Sequence, residues 1–173
     1  MDIGRLKVYP LQIVWLILHQ IKSMSQVIRV TKEFHFEMAH VLWNYDGPCR
    51  NVHGHSYRLF VTIIGNPAKD PSNPKNGMVM DFTVLKGIVK KEIITVFDHS
   101  VVLNSSHDQS RIEKFAALFG NVVPVDYQPT CENLVADFAA RIKSQLPAGI
   151  QIHSLKLYET ATSYAEWFAA DNS

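Results

Sequence analysis

The chain has 173 residues, of which 47% are hydrophobic, as expected of one folded domain with its own core. Its formal net charge is +1, from 17 basic and 16 acidic residues without a long run of either sign, so neither a nucleic acid nor a membrane is an expected partner. The two cysteines, Cys49 and Cys131, lack CxxC spacing, which argues against a disulfide scaffold and favours a reducing cytoplasm.

Residues 1–25 are interpreted as an N-terminal extension without an assigned role. The apolar run at residues 11–18 is too short to span a bilayer, and no small-x-small cleavage site follows it, which argues against a signal peptide. A segment that packs on the domain, or upstream sequence translated ahead of a start at Met24, explains the extension better. Residues 26–173 are expected to form the folded domain.

Two alternating segments predict a pair of antiparallel strands. Residues 28–40 place apolar side chains and His40 on one side and charged side chains on the other, as a half-buried strand does. Residues 53–64 repeat this pattern, with His53 and His55 on the apolar side. The turn-forming residues 44–48 are expected in the loop that joins the two strands.

Helices and short strands are expected further along the chain. Asp81 is a candidate cap for a helix over residues 81–97, and Thr130 begins a helix that runs to about residue 146. Other predicted elements are short strands at residues 78–80, 152–159 and 164–169 and a short helix at residues 111–119. This order predicts an α+β domain with helices on one face of an antiparallel sheet.

The sharpest local signal is His53-Gly54-His55. Residues i and i+2 of a strand point the same way, so both imidazoles can reach one metal ion, and His40 faces the same side from the neighbouring strand. Three neutral histidines leave a fourth tetrahedral position open, which is the arrangement of catalytic zinc, so Zn²⁺ is the expected cofactor. On these residues alone, two surface histidines and an unrelated core histidine are an open alternative.

Three further features can carry chemistry. Cys49 lies four residues before His53, where a neighbouring metal would activate the thiol, although an inert buried thiol is the alternative. Asp98-His99 places a carboxylate beside an imidazole, but adjacent strand residues point apart, so this pair needs a turn or another subunit to converge. The Glu159 carboxylate either accepts two parallel N–H donors of a ligand or faces water.

Six ordered motifs together resemble one family. The motifs are Phe34-x-Phe36-Glu37-x-Ala39-His40, Cys49-x-x-x-His53-Gly54-His55-x-Tyr57, Gly77-Met78-Val79-Met80-Asp81-Phe82, Asp98-His99, Pro129-Thr130-x-Glu132-Asn133 and Glu159. In this order they are similar to the 6-pyruvoyltetrahydropterin synthase family, which includes the bacterial 6-carboxytetrahydropterin synthases. The likeness extends over about residues 30–166, nearly the whole chain after the extension.

The resemblance implies a fold, an assembly and a set of site residues. The fold is the tunnelling fold, an antiparallel four-stranded sheet with two helices on one face, which assembles into an intersubunit β-barrel and commonly into a dimer of trimers. Active sites then lie between subunits, and assembly would bring Asp98 and His99 together. By this resemblance the zinc ligands are His40, His53 and His55, the catalytic residues are Cys49, Asp98 and His99, and the substrate-binding residues are Glu159, Thr130, Glu132 and Lys32.

The resemblance also implies a reaction. The spacing from Cys49 to His53, with Val52 rather than glycine before the histidine, is similar to that of the bacterial enzymes. Those enzymes are lyases of queuosine biosynthesis, which convert 7,8-dihydroneopterin triphosphate to 6-carboxy-5,6,7,8-tetrahydropterin, acetaldehyde and triphosphate. The alternatives are a 6-pyruvoyltetrahydropterin synthase that eliminates triphosphate and retains the side chain, a pterin-binding module without turnover, and a protein with a structural metal.

Two features depart from the family pattern. Residues 105–128 form an insert where the bacterial enzymes usually have a short connection, and this insert is expected to rim the substrate mouth. Cys131 stands where a smaller residue is commoner, and it is expected to be a buried thiol at the start of a helix.

Overall fold

The computed structural model describes residues 26–106 and 109–172, so the predictions for residues 1–25 lie outside the described residues. The strands are β1 Ile28–His40, β2 His53–Gly65, β3 Ser100–Asn104, β4 Val122–Val125, β5 Gln151–Tyr158 and β6 Tyr164–Phe168. Helix α1 consists of Phe82–Val89, a π-helical turn Lys90–Ile94 and a last α-helical turn Thr95–Phe97. Helices α2 and α3 are Gln109–Leu118 and Cys131–Lys143.

Strands β1 and β2 form the predicted antiparallel pair. Their register runs without interruption from Ile28 opposite Gly65 to His40 opposite His53. The predicted alternation is present in both strands, whose buried side chains share one face. Gly54 is needed for the close packing of the pair, because a Cβ atom there would lie 3.2 Å from the carbonyl oxygen of Met38.

The sheet has six strands within the described residues, in the order β4-β3-β1-β2-β5-β6, so the prediction of a four-stranded antiparallel sheet is wrong. Strand β3 pairs in parallel with the end of β1, and β4 pairs in parallel with β3. Every residue of β3 is buried, so this strand lacks the alternation by which the other strands were predicted. The predicted strand at residues 78–80 is absent, and Met78 is exposed there.

The two predicted helices begin at their predicted caps. The Asp81 carboxylate accepts a hydrogen bond from the backbone N–H of Thr83 at 2.8 Å, and Thr130 caps α3. Both helices pack on the face of the sheet that carries the buried side chains of β1 and β2. Helix α2, in the segment 105–128, packs on the opposite face against Val101 and Leu103, so helices cover both faces rather than one.

The main core lies between the sheet and helices α1 and α3. Its largest fully buried side chains include Tyr57, Leu59, Leu85, Phe97, Leu134, Phe138, Ile142, Leu155 and Leu157. This core ends at the paired termini of β1 and β2, where polar side chains replace apolar ones on the same face. Among residues 26–106 and 109–172, each helix is too short or too polar to cross a bilayer.

Candidate active site

Three imidazoles converge at the paired ends of β1 and β2. His40 and His53 lie opposite each other in the register, and His55 follows two residues later on the same face. The Nε2 atoms of His40 and His53 are 3.1 Å apart. One ring nitrogen from each of the three histidines lies within 4.8 Å of the other two, so the predicted ligands form a group that can hold a metal ion.

Backbone carbonyls fix the orientation of two of these rings. Nδ1 of His40 lies 2.6 Å from the carbonyl oxygen of Pro129, and Nδ1 of His53 lies 2.9 Å from that of Asn51. Because a carbonyl oxygen only accepts hydrogen bonds, each Nδ1–H donates, and the neutral ring then carries its lone pair on Nε2. Partners of this kind orient metal-binding histidines.

The converging nitrogens favour a cation between them. Two Nε2 lone pairs facing each other at 3.1 Å repel, and the Nε2 atom of His55 is buried without a hydrogen-bond partner in the described part of the chain. Nitrogens bound at about 2.0–2.1 Å to a tetrahedral zinc ion lie about 3.3–3.4 Å apart, close to this spacing. Burial lowers the pKa of His40 and of His55, so both rings are neutral and available to a metal at neutral pH.

Glu159 directs one carboxylate oxygen toward the three histidines. Its Oε1 atom lies 3.6 Å from Nε2 of His40 and 3.8 Å from Nε2 of His55, and the Tyr57 hydroxyl donates to it at 3.4 Å. Burial and this carboxylate together raise the pKa of Tyr57 well above its usual range, so the phenol stays protonated. Glu159 therefore lies beside the position that a metal-bound ligand would take.

Cys49 lies in the loop that joins the two strand ends carrying the histidines. It occupies a short 3-10 turn, Pro48–Arg50, and its thiol is half-buried and free. Its backbone carbonyl accepts a hydrogen bond from the N–H of Leu42 at 3.0 Å.

The first turn of α3 lies beside the histidines. Pro129, whose carbonyl oxygen contacts His40, directly precedes the helix cap Thr130. The Thr130 hydroxyl oxygen accepts the backbone N–H of Asn133 at 3.4 Å, and Glu132 is exposed in the first turn of the helix. The predicted substrate-binding residues Thr130 and Glu132 are thus close in sequence to a residue that contacts a metal-ligand candidate.

Asp98 and His99 converge within a single chain. Nδ1 of His99 lies 2.9 Å from Oδ1 of Asp98, and the same oxygen accepts the backbone N–H of Glu37 at 2.9 Å. His99 has a φ of 56°, in the left-handed region that few non-glycine residues adopt. The turn that this conformation creates brings the two side chains together, so the pair itself does not need a second subunit.

This pair and the three histidines lie on opposite faces of the sheet. The His99 side chain is 78% exposed and lines a cavity with Glu37, Gly54 and Ser56, which alternate with the core-facing residues of β1 and β2. The cavity also borders His55, whose ring packs against the other histidines on the core side. The ring of His99 is therefore directed away from the converging nitrogens of its own chain.

Lys32 lies apart from the histidines, and Cys131 is buried near them without directing its thiol at them. Lys32 is eight residues before His40 on β1, about 26 Å away at about 3.3 Å per residue, and its ammonium group lies 5.9 Å from the centre of the Phe82 ring. Cys131 is buried at the start of α3, as predicted, and its thiol donates to the carbonyl oxygen of Leu157 at 3.2 Å. Burial raises the pKa of this thiol to about 12.

Comparison with known proteins identifies the family. The sequence model described as 6-pyruvoyl tetrahydropterin synthase matches residues 29–170. The chain belongs to this family. A 6-carboxy-5,6,7,8-tetrahydropterin synthase of Haemophilus influenzae is 36% identical over 143 residues, which cover 82% of this chain and 99% of the relative. The protein of the same name from Synechocystis is 33% identical over 141 residues, which cover 81% and 92%.

Solved structures support the same family at the level of the fold. The structure of Caenorhabditis elegans 6-pyruvoyl tetrahydropterin synthase superposes with a TM-score of 0.59 at 22% identity, covering 84% of this chain and 97% of that one. An uncharacterized protein from Wolinella succinogenes superposes with a TM-score of 0.67, also at 22% identity, covering 84% and 99%. The predicted family, the likeness to the bacterial carboxytetrahydropterin synthases and the predicted lyase class are confirmed by these comparisons.

Three contacts of this family member were missed in the sequence. Two are the backbone carbonyls of Asn51 and Pro129, which orient His53 and His40. A backbone group has no residue type of its own, so no sequence pattern indicates it. The third is the bond from Tyr57 to Glu159, for which the shared face of Tyr57 and the histidines was the available signal.

Proposed function

We propose that the chain is a zinc-dependent carbon–carbon lyase of queuosine biosynthesis in the cytoplasm. It converts 7,8-dihydroneopterin triphosphate and water to 6-carboxy-5,6,7,8-tetrahydropterin, acetaldehyde and triphosphate. The observation that carries the proposal is the convergence of one ring nitrogen each from His40, His53 and His55, with the Glu159 carboxylate at their side. Relatives from Haemophilus influenzae and Synechocystis bear the name of this activity.

The three histidines are the proposed zinc ligands. His40 and His53 bind through Nε2, because their Nδ1 atoms are occupied by backbone carbonyls, and the unpartnered Nε2 of His55 completes the set. Three histidine ligands leave one position open to substrate, as in catalytic rather than structural zinc sites. When bound there, zinc supplies Lewis acidity to the hydroxyl groups of the substrate side chain.

Glu159 is the proposed anchor for the pterin ring. The pyrimidine edge of a pterin presents two parallel N–H donors, and one carboxylate accepts both. Oε1 of Glu159 lies 3.6 Å from Nε2 of His40, so a ring held by this carboxylate would lie next to the three histidines. Thr130 and Glu132, at the adjacent start of α3, are proposed to contact the same ring.

Proton transfer is assigned to Cys49 on one side of the reacting carbons and to His99, oriented by Asp98, on the other. Because His99 faces away from its own histidine ligands, we assign it to the site of a neighbouring subunit. Lys32, at the far end of β1, is likewise assigned to the triphosphate of a neighbouring site.

The two edges of the sheet are suited to pairing with neighbouring subunits. Within the described residues, β1 pairs with β3 only from Met38 to His40, so the earlier residues of β1 have no strand beside them on that edge. Strand β6 forms the opposite edge of the sheet. Pairing of β1 from one chain with β6 of the next would extend the sheet into an intersubunit β-barrel. We propose a homohexamer of two stacked trimers built in this way.

Removal of the metal tests the proposed function. Dialysis against a chelator is expected to lower the turnover of dihydroneopterin triphosphate at least about 100-fold, because an activating Lewis acid is lost, and added Zn²⁺ should restore it. Circular dichroism before and after dialysis is the control, since the main core contains none of the three histidines. Full turnover by a protein that mass spectrometry shows to be metal-free would contradict the proposal.

A further inference from the structure

The loop between His40 and His53 carries Cys49, and most of its backbone hydrogen bonds join residues three positions apart. Its one backbone bond across the loop joins the N–H of Leu42 to the carbonyl oxygen of Cys49 at 3.0 Å. The tip is exposed, and Asn44 there has a left-handed φ of 62°. A loop of this kind needs outside contacts to hold a thiol in one place.

Trp43, next to Leu42, supplies such contacts, and its polar and ring contacts reach α2 and the residues Asn104 and Gln128 at the two ends of the insert. Its indole Nε1–H donates to the carbonyl oxygen of Asn104 at 3.1 Å, and its own carbonyl oxygen accepts the Gln128 side-chain amide at 2.8 Å. Its ring packs edge-to-face on Phe115 with centroids 5.8 Å apart. The guanidinium of Arg111 lies 5.1 Å from the indole ring.

The segment that holds Trp43 is itself firmly attached to the sheet. Helix α2 buries Ile112 and packs with Phe115 on a second apolar cluster, which includes Val41, Val101 and Leu103. Strand β4 of the same segment is hydrogen-bonded to β3. The segment therefore offers Trp43 a fixed surface on the face of the sheet opposite the main core.

The same segment ends beside the metal ligands. Gln128 binds the carbonyl oxygen of Trp43, and the next residue, Pro129, binds Nδ1 of His40. One short stretch of backbone thus contacts the loop with Cys49 and one of the histidines. Any shift of Trp43 relative to Gln128 changes the distance between the thiol and the histidine group.

We propose that Trp43 is a positioning residue, which holds the Cys49 loop on the segment 105–128 and so fixes the thiol relative to His40 and His53. The link is short: Trp43 adjoins Leu42, and Leu42 binds the backbone of Cys49. This gives the insert a role in the site that differs from rimming its mouth. The proposal rests on the proposed function only in that Cys49 is the reacting thiol.

Replacement of Trp43 by leucine tests this role, because leucine keeps apolar bulk but removes the indole donor and the aromatic contacts. In the metal-loaded protein we expect kcat to fall about 10- to 100-fold with KM changed less than about twofold, as for a misplaced catalytic group. The rate of Cys49 alkylation by iodoacetamide, followed by mass spectrometry of the peptide, should rise about tenfold because the loop opens more often.

Two further variants complete the test. Phe115→Leu should change both measurements in the same direction but less, because it removes one of the contacts of Trp43. Phe60→Leu, a change of the same kind as Phe115→Leu on the face of β2 that is turned away from the main core and from this loop, should leave both at wild-type values. Metal content and the thermal unfolding midpoint of each variant show whether it is folded and loaded.

The outcomes separate this inference from the proposed function. Wild-type kcat and alkylation rate in a folded Trp43→Leu or Phe115→Leu protein would overturn the positioning role. A fall in kcat without faster alkylation would also overturn it, because the thiol would not have been released. If Trp43→Leu speeds alkylation of Cys49 while neither the wild-type protein nor the variant turns over the pterin, the positioning role is upheld and the proposed function is rejected.

Discussion

Replacing Cys49 by alanine is expected to lower turnover about 100- to 10,000-fold, the range observed when a positioned proton-transfer group is lost. The thiol is free, half-buried and located in the loop between His40 and His53, so its loss removes no metal ligand and leaves no cavity in the core. The variant should therefore keep its stability and about one metal ion per chain, measured by mass spectrometry.

The matched control is Cys131→Ala. That thiol lies buried at the start of α3, and its pKa is raised to about 12 by burial, so it is not a proton-transfer group at neutral pH. We expect its replacement to lower stability slightly and leave turnover within about twofold. Retained activity in Cys49→Ala, with the metal still bound, would show that the thiol has no part in the reaction.

Replacing His99 by alanine is expected to reduce turnover to a similar extent, and the activity should partly return when this variant shares oligomers with Cys49→Ala. The reason is the placement of the two groups: the His99 ring is exposed on the face opposite the histidine ligands of its own chain. A site built from two chains is intact wherever a His99→Ala chain supplies Cys49 and its neighbour supplies His99.

Co-expression of the two variants in equal amounts tests this. Random mixing should restore roughly one quarter of the wild-type activity. A shared site is intact only when the chain that supplies the thiol is the His99→Ala variant and the chain that supplies the imidazole is the Cys49→Ala variant. Co-expression of Cys49→Ala with His53→Ala is the control. Both changes lie on the same side of one chain, so no mixed site is intact, and no recovery is expected. If both mixtures stay inactive, the site is not shared in this way.

The convergence of the three histidines was predictable because it depends only on which face of its strand each residue occupies. His40, His53 and His55 were assigned to one face from alternation, and the uninterrupted register of β1 and β2 places them there. Glu159 was singled out for a different reason, because it is a carboxylate at the end of an otherwise apolar strand. Its Oε1 atom lies 3.6–3.8 Å from two of the imidazoles.

The two additional strands were not predictable by the same rule. Strand β3 is buried on both faces, because α2 covers the side opposite the main core, so its three central residues, Val101–Leu103, are all apolar and show no alternation. Strand β4 contains Pro124, and proline is found in edge strands or outside sheets because it has no N–H to donate. Strand β4 does lie at the edge of the sheet. Both strands depend on contacts between distant residues, which a local pattern does not contain.

The Asp98-His99 pair shows a different limit. The expectation that assembly brings the two side chains together is wrong, because a turn within one chain does so, and a left-handed backbone at a histidine has no sequence signature. The turn brings the pair together, and the same geometry points it away from the ligands of its own chain. The same holds for Trp43, whose contacts with the segment 105–128 join residues that are about 60 to 85 positions apart.

The central claim is that the chain cleaves a carbon–carbon bond of dihydroneopterin triphosphate. The measurement that tests it most directly is the ratio of acetaldehyde to triphosphate released by the zinc-loaded protein from 7,8-dihydroneopterin triphosphate. We predict a ratio of about one, with 6-carboxytetrahydropterin as the pterin product. Triphosphate release without acetaldehyde, with a pyruvoyl pterin as the product, would contradict the claim and identify a 6-pyruvoyltetrahydropterin synthase instead.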